Sequence, residues 1–156
     1  MRSGSSISIR LASADDAEAI HQLLRELEQT LGATHSVKRS SKDILRHGFG
    51  THPLFQALIA SQAGKDVGLA LFFPEFSTWK GKPGVYVQDL FVARELRGSG
   101  LGRQLMQAVY DVAREWSASY CKLSVYGDNE AALQFYHRLG FRRSKDEKVL
   151  IIDGLD

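Results

Sequence analysis

Arg97-Gly98-Ser99-Gly100-Leu101-Gly102 is the stretch that decides the fold, and it lies between a strand-like and a helix-like segment. The apolar run 85–92 before it is typical of a strand, and apolar residues recur with helical spacing after it as far as Trp116. Glycine at every second position removes side chains from the loop that opens this helix. Bare backbone N–H groups at a helix N-terminus attract an anion, and the helix dipole adds positive charge there. The pattern therefore predicts a phosphate-binding loop.

Two better-known phosphate loops do not fit this sequence. A P-loop ends in Gly-Lys-Ser or Gly-Lys-Thr, and the chain contains neither tripeptide. A dinucleotide-binding fingerprint that began at Gly98 or Gly100 would need glycine where the chain has Arg103 or Leu105. What remains is the pattern R-x-x-G-x-G, for which a glycine-rich turn without a ligand stays an alternative.

The composition predicts one soluble globular domain over residues 1–156. Hydrophobic residues make up 44% of the chain and charged residues 24%, and the formal net charge is only +2. So small a charge gives no reason to expect a nucleic-acid or membrane partner, and the basic pairs Lys38-Arg39 and Arg142-Arg143 are interpreted as solvated. We expect a cytoplasmic protein, because the N-terminus is polar, no apolar run is long enough to span a membrane, and the single Cys121 cannot form an internal disulfide.

The periodicity of apolar residues predicts the order β-α-α-β-β-β-α-β-α-β, an α/β chain whose helices pack on a mixed sheet. Strands are predicted at 7–11, 54–60, 67–73, 85–92, 123–126 and 149–152, with another extended segment from Phe141. Helices are predicted from Ser13 to Gly32, from Ser41 to about 48–50, from 101 to 116, and from a cap at Asp128 or Asn129 to 139, before Gly140.

A second motif follows the long helix. Residues 129–141 read N-x-x-A-x-x-F-Y-x-x-x-G-F, from Asn129 to Phe141. Together with the glycine loop, this element resembles the GNAT N-acetyltransferase superfamily, whose members bind acetyl-CoA. The resemblance covers nearly the whole chain. It implies the acyl-CoA N-acyltransferase fold, with a mixed, mostly antiparallel central sheet and helices on both faces.

Three further segments, 43–45, 48–55 and 76–82, resemble a narrower group within that superfamily. They are similar to the diamine (spermidine/spermine-type) acetyltransferases and their thialysine-acetylating relatives. This resemblance implies transfer of an acetyl group to a primary amine of a small molecule. It also implies a homodimer, because the diamine enzymes pair their subunits.

The resemblance implies where acetyl-CoA would bind. It places this co-substrate between strands 85–92 and 121–126, with the pantetheine arm along the backbone of the first strand and the pyrophosphate on the loop N–H groups. Arg97 or Arg103 would add charged contacts to phosphate, and a solvated helix start stays an alternative for Arg103. Asn129 matches a cofactor-contacting asparagine, and an N-cap role is open beside it. The implied cofactor-binding residues are Leu90, Phe91, Val92, Arg97, Gly98, Ser99, Gly100, Leu101, Gly102, Arg103 and Asn129.

The resemblance also implies direct attack of an amine on the thioester within a ternary complex. Tyr136 matches the tyrosine that protonates the leaving thiolate, and packing as a core aromatic beside Phe135 is the alternative. Asp89 is the candidate for assisting amine deprotonation through water or for holding the ammonium, because a free alkylammonium has a pKa of about 10. A surface carboxylate is the alternative for Asp89. Backbone N–H groups near Phe91 would stabilise the negative charge on the acetyl oxygen.

The chain departs from the diamine enzymes at two places. They carry Glu-Asp where this chain has Gln88-Asp89, and an aromatic-acidic pair where it has Thr30-Leu31. Glu26 and Glu28 lie nearby and are candidates to replace the missing carboxylates. The expected substrate-binding residues are therefore Gln88, Asp89 and Glu28. A polyamine and a smaller or less charged amine, such as a lysine analogue or another amino acid, both stay open.

Two other functions are open on the same fold: a non-catalytic acyl-CoA sensor and a protein or peptide N-acetyltransferase. The presence of both Tyr136 and Asp89 favours catalysis over sensing, since a sensor needs neither group. No metal is expected, because His47 and His52 lie five residues apart rather than four and no HExxH motif occurs.

Overall fold

The computed structural model describes residues 6–32 and 37–156, in two compact units: a sheet unit up to Ser124 and a C-terminal unit, Val125–Asp156. The strands of the sheet unit are β1 (Ile7–Leu11), β2 (Gln56–Gln62), β3 (Lys65–Ser77), β4 (Lys82–Val92) and β5 (Cys121–Leu123). Its helices are α1 (Ala17–Leu31), α2 (Ser41–Phe49) and α3 (Leu101–Arg114), with short 3-10 turns at Ala14–Asp16 and Arg94–Leu96. The C-terminal unit contains α4 (Glu130–Arg138). One domain over residues 1–156 stays a prediction.

The strands form one sheet in the order β1-β2-β3-β4-β5. Neighbouring strands from β1 to β4 are antiparallel, and β5 runs parallel to β4. The chain can return parallel to β4 because α3 carries it back along the sheet, as a parallel connection requires. The prediction of a mixed, mostly antiparallel sheet is therefore confirmed.

Helices cover both faces of the sheet, as predicted. On one face the apolar side chains of α1 share a buried core with those of the strands: Ile20, Leu23, Leu24, Ile59, Leu69, Leu71 and Phe91. Each such side chain contributes roughly 1.5–3 kcal/mol when it is fully buried. On the other face, Leu105 of α3 lies so near Gly68 of β3 that an added Cβ would come within 3.0 Å of its Cδ1. Within the described ranges, no helix is both long and apolar enough to cross a membrane.

The predicted starts of the first two helices both need correction. Ser13 caps the 3-10 turn Ala14–Asp16, and the N-cap of α1 is Asp16. α1 ends at Gly32, whose φ of 70° is the left-handed conformation that favours glycine. α2 is capped by Ser40 and not by Ser41, since the Ser40 N–H donates to Asp43 Oδ2 at 2.9 Å. Ser41 instead donates its hydroxyl to Glu18 at 2.8 Å. The polar residues 33–40 between these helices are predicted to form a loop, of which 33–36 lie outside the described residues.

The predicted strand at 149–152 is wrong, and so is the extended segment from Phe141 as a sheet strand. The structure assigns neither helix nor strand to residues 141–156, and Leu150 is 93% exposed. Apolar, β-branched composition gives a strand only where a neighbouring strand edge is present, and the C-terminal unit contains none among its described elements. Two other strand predictions are displaced by two residues, because β2 begins at Gln56 and β5 at Cys121.

Candidate active site

The register between β3 and β4 shifts in the middle of the sheet. Asp89 lies opposite Leu71, whereas Val87 lies opposite Phe72, so Gln88 has no partner of its own on β3. This arrangement is a β-bulge, which changes the face to which the following side chains point. Directly opposite residues of an antiparallel pair share a face of the sheet. The bulge therefore places Asp89 with Leu71 on the face that α1 covers, and leaves Val87 with Phe72 on the other.

Asp89 is a half-buried carboxylate on this α1 face. Leu71 and Phe91, its neighbours there, both belong to the buried core. Burial raises the pKa of Asp89 to about 6, while the charge of Arg39 opposes the shift and that of Glu28 adds to it. A carboxylate with this pKa is mostly ionised at neutral pH and has a higher proton affinity than a solvated one, which suits a general base.

Arg39, from the segment before α2, contacts two side chains of α1. Its Nη1 lies 2.6 Å from Oε1 of Glu28, and its Nε donates to Nδ1 of His21 at 3.2 Å. The interpretation of Lys38-Arg39 as a solvated pair is wrong for Arg39, because its side chain is only 22% exposed. Sequence spacing gave no signal for Arg39 or His21, since the two come together only when the chain folds back between α1 and α2. The structure thus brings the predicted Glu28 and Asp89 near one arginine.

Beyond Val87, β4 is paired on one side only among the described residues. β5 pairs with β4 from Val85 to Val87 and ends at Leu123, whereas β3 pairs with β4 as far as Val92. The backbone of residues 90–92 therefore pairs with no described strand on the side away from β3, although the Val92 carbonyl accepts a hydrogen bond from Arg97. An extended chain that carries amide groups can add to such an edge as an extra strand. The resemblance implies that acetyl-CoA binds at this edge, along Leu90, Phe91 and Val92, and their contact with the co-substrate stays a prediction.

The glycine loop has the conformation that its sequence predicts. Gly98 and Gly100 have φ values of 81° and 92°, and an added Cβ on either would meet no atom within 4 Å. The N–H groups of Arg97 and Ser99 donate within the loop, to Arg94 O at 3.3 Å and Leu96 O at 3.2 Å. The N–H of Leu101 donates to Ser99 Oγ at 3.4 Å. Within the described residues, the amides that remain for an anion are those of Gly98, Gly100, Gly102 and Arg103. The open space at the Cβ positions of Gly98 and Gly100 leaves room for a phosphate group beside these amides.

The two arginines of the loop differ in their contacts. Arg97 donates from Nε to Val92 O at 3.4 Å and from Nη2 to Thr30 Oγ1 at 3.5 Å, so it links the loop to β4 and to α1. Arg103 is exposed in the first turn of α3. Both cations lie beside or within the set of open amides, where phosphate contacts are predicted.

The C-terminal unit holds the other two predicted residues. Asn129 caps α4, since its Oδ1 accepts the N–H of Ala132 at 3.1 Å. Tyr136 is half-buried, and its ring packs edge-on against Phe135 and Phe141 at centroid distances of 5.0 and 5.5 Å. The N-cap role of Asn129 is therefore confirmed, and the aromatic packing considered for Tyr136 is present. The contact of Asn129 with cofactor and the proton transfer from Tyr136 stay predictions.

Cys121 does not have the properties of a nucleophile. Burial raises the pKa of its thiol to about 12, and the charge of Glu75 adds to the shift. The thiol is therefore protonated at neutral pH, and only a thiolate attacks efficiently. In the described part of the chain, no three His, Cys, Asp or Glu side chains are grouped so that they could hold a metal ion.

Comparison with known proteins identifies the family. The sequence model described as the acetyltransferase (GNAT) family matches residues 17–141. The chain belongs to the GNAT acetyltransferase family. The resemblance inferred from the glycine loop and the 129–141 element is thereby confirmed. This GNAT protein is an enzyme that transfers an acetyl group to an amine, with acetyl-CoA as the co-substrate.

Curated relatives of this GNAT enzyme agree with that assignment, and a solved structure shares its fold. It is 34% identical to thialysine N-epsilon-acetyltransferase of Mus musculus over 143 residues, which cover 86% of this chain and 84% of the mouse protein. It is 30% identical to the human spermidine/spermine N(1)-acetyltransferase-like protein 1 over 85% of this chain and 20% of that longer protein. An integron cassette protein from the mobile metagenome of V. cholerae shares the fold, with a TM-score of 0.81, 22% identity, and coverage of 97% of this chain and 95% of its own.

Proposed function

We propose that this chain acetylates a primary amine of a small diamine-like or amino-acid-like molecule within a ternary complex with acetyl-CoA. The observation that carries the proposal is the position of Asp89. It is a half-buried carboxylate with a raised pKa, on the strand whose following residues pair with no described strand on the side away from β3. A proton acceptor and a binding edge for the co-substrate thus lie next to each other on β4.

Acetyl-CoA would be held by backbone groups of the sheet unit. The strand edge at Leu90, Phe91 and Val92 would pair with the pantetheine arm, and the open amides of Gly98, Gly100, Gly102 and Arg103 would bind the pyrophosphate. Arg97 and Arg103 would add charge-assisted contacts to phosphate oxygens. When bound, the co-substrate supplies an activated acetyl group as a thioester. Backbone N–H groups near Phe91 would donate to the acetyl oxygen as negative charge develops there.

Asp89 would prepare the amine for attack. A free alkylammonium has a pKa of about 10 and is protonated at neutral pH, so it must lose a proton before it can act as a nucleophile. The raised pKa of Asp89, about 6, brings its proton affinity nearer to that of the amine than an exposed carboxylate would. Asp89 would accept this proton through water, or hold the ammonium before the proton leaves.

Tyr136 would supply a proton to the thiolate that leaves. A phenol is a weak acid whose O–H group can donate a proton to a stronger base. The edge-on contacts with Phe135 and Phe141 fix the orientation of its ring. Asn129, which caps the same helix, would contact the co-substrate in addition to its capping role.

The class of amine follows from the relatives named above. Acetylation of thialysine and of spermidine or spermine supports a small primary amine as the acceptor for this chain. Gln88 is exposed on the bulge and carries no charge, which weakens attraction for a polycation compared with the Glu-Asp pair of the diamine enzymes. We further infer a homodimer and a cytoplasmic location. The first rests on the resemblance to the diamine enzymes, and the second on the single cysteine.

Release of free CoA thiol from acetyl-CoA tests the proposal directly. The purified chain would be incubated with putrescine, spermidine, lysine, thialysine, an aminoglycoside and a short peptide, each against a control without amine. We expect amine-dependent release with at least one of the four small amines. Release with the peptide alone would instead support a peptide N-acetyltransferase. Tight acetyl-CoA binding without release for any amine would support the sensor and contradict the proposal.

A further inference from the structure

Arg39 carries a buried hydrogen-bond donor that no described residue satisfies. Its Nη2 is shielded from solvent and has no acceptor within reach in ranges 6–32 and 37–156. Leaving a buried donor unpaired costs about 1–3 kcal/mol, and more when the group is charged. Buried polar groups in folded proteins are nearly always paired, so this nitrogen requires an explanation. No other buried side-chain nitrogen or oxygen among the described residues lacks a partner in this way.

The other two nitrogens of the guanidinium fix its orientation. Nη1 forms the 2.6 Å ion pair with Glu28, and Nε donates to His21 at 3.2 Å. Because the guanidinium is planar and rigid, a group held at two nitrogens presents the third in a defined direction. Nη2 is therefore a preorganised donor rather than the end of a mobile side chain.

The charge of Arg39 reaches the proposed amine site. It acts on the carboxylate of Asp89 and opposes the effect of burial there. A protonated polyamine has no acceptor for the Nη2 donor of Arg39, whose charge is already balanced by Glu28. A zwitterion that carries both an ammonium and a carboxylate has a partner for each of the two charges. Arg39 thus offers a positive charge for the carboxylate of such a molecule, and Asp89 a negative charge for its ammonium group.

We propose that Arg39 determines the substrate specificity of this enzyme by binding a carboxylate of the substrate, so that the preferred acceptor is an amino acid or a similar zwitterion. This inference rests on the proposed function. Nη2 donates to a carboxylate oxygen of the substrate while Asp89 holds its ammonium group. Glu28 and His21 act as positioning residues, since they hold the guanidinium. In this proposal that role replaces the direct contact with substrate that the sequence predicts for Glu28.

Matched substrates test this inference on the unaltered enzyme. L-lysine and cadaverine differ only by the α-carboxylate, as do L-ornithine and putrescine, and L-lysinamide keeps the lysine skeleton without the negative charge. We expect kcat/KM for each amino acid to exceed that for its diamine, and that of lysine to exceed that of lysinamide, by about 10- to 100-fold. Equal or higher kcat/KM for both diamines would overturn the inference.

Substitution of Arg39 provides the second test. Arg39→Gln is expected to lower kcat/KM for lysine, mainly through KM, by about 10- to 100-fold more than it changes the value for cadaverine. Arg39→Lys should restore part of the preference for lysine. Lys38→Gln removes the exposed neighbouring charge, and it should leave the ratio of kcat/KM for lysine to that for cadaverine as in the wild type.

The ratio of kcat/KM for lysine to that for cadaverine distinguishes a role of Arg39 in substrate recognition from a structural role. A merely structural role for Arg39 would lower both activities together, and an unchanged ratio in Arg39→Gln would overturn the inference. Failure of the proposed function looks different, because then no amine of the panel would be acetylated by the wild type. Acetylation of diamines without a preference for amino acids would leave the proposed function standing and overturn the role of Arg39 alone.

Discussion

Val87 and Asp89 are two residues apart on β4, yet their side chains lie on opposite faces of the sheet. The cause is Gln88, which has no partner on β3 and forms a bulge. In a regular strand Asp89 would share the face of Val87, under α3, because alternate residues point the same way. The bulge instead turns the carboxylate towards α1, where Glu28 and Arg39 act on it. The chemistry of the site therefore depends on one extra residue in a strand.

Asp89→Asn tests whether this carboxylate takes part in proton removal. We expect kcat/KM to fall by about 10²- to 10⁴-fold, the usual contribution of a general base. In the wild type, kcat/KM should fall as the pH drops below about 6, because Asp89 is then protonated and cannot accept a proton. The variant should lack this step in its pH profile.

Asp111→Asn, on the exposed face of α3, is the matched control and should keep the wild-type profile. A pH profile of the wild type with no acidic limb, together with full activity of Asp89→Asn, would remove Asp89 from the mechanism.

Tyr136→Phe isolates the hydroxyl of the proposed acid. The ring contacts with Phe135 and Phe141 survive this change, so the fold of α4 should be unaffected. We expect kcat to fall by about 10²- to 10⁴-fold, while the Kd of acetyl-CoA measured by calorimetry stays within a factor of about two. Tyr126→Phe removes an equally small group from an 84% exposed side chain and should retain full activity. Equal kcat in both variants would exclude Tyr136 as the acid.

Gly100→Ala tests the phosphate loop. The φ of 92° at Gly100 is unfavourable for alanine by roughly 1–2 kcal/mol, and the new methyl group would enter the open space in front of the loop amides. We expect the affinity for acetyl-CoA to fall by at least about 10-fold, measured by calorimetry.

Gly64→Ala is the matched control, because Gly64 has a φ of 76° with nothing within 4 Å of an added Cβ and lies in the β2–β3 turn. It should lose similar stability and keep its affinity for acetyl-CoA. Equal affinities in the two alanine variants would contradict a role of the loop in binding.

Asp16 links the start of α1 to β1 and makes stability depend on pH. The Arg10 guanidinium, which contacts both carboxylate oxygens at 2.8 and 2.9 Å, lowers the pKa of Asp16 to about 2. A carboxylate whose pKa is lowered by folding stabilises the fold at pH values above its ordinary pKa. This stabilisation is lost as the pH falls through about 2. Because Arg10 is half exposed, we expect Asp16→Asn to cost only about 1 kcal/mol at neutral pH.

Urea unfolding at a series of pH values checks this prediction. The difference in the free energy of unfolding between the wild type and Asp16→Asn should shrink as the pH falls from about 4 towards 2. Asp15→Asn, one residue earlier and exposed, controls for a carboxylate in the same turn. A difference that stays constant over this range would show that the ion pair does not contribute.

The sequence predicts the parts of this fold whose signal is local. Apolar periodicity locates α1 and α3, and a glycine in the left-handed conformation ends α1. The conformation of the loop 97–102 is predictable because only glycine adopts positive φ values freely. The prediction of Ser41 as the α2 cap fails, since the adjacent Ser40 offers the same chemistry.

Features that depend on pairing or on distant contacts are not predictable in this way. The bulge at Gln88 is a property of the β3–β4 register, which no single strand encodes. The contacts of Arg39 with Glu28 and His21 join residues eleven and eighteen positions apart that meet only in the folded chain. Residues 149–152 have strand-like composition but no strand to pair with in their unit. Local pattern therefore predicts the elements and the loop, whereas the surroundings of Asp89 require the structure.

The most direct test of the account is identification of the acetylated product. The wild-type chain would be incubated with acetyl-CoA and lysine or putrescine, and mass spectrometry would quantify the N-acetylated amine beside the CoA released. We predict that one N-acetyl amine forms for each CoA released, and that Asp89→Asn and Tyr136→Phe slow both together. Release of CoA without any acetylated amine, or acetyl groups found only on the protein itself, would contradict the account.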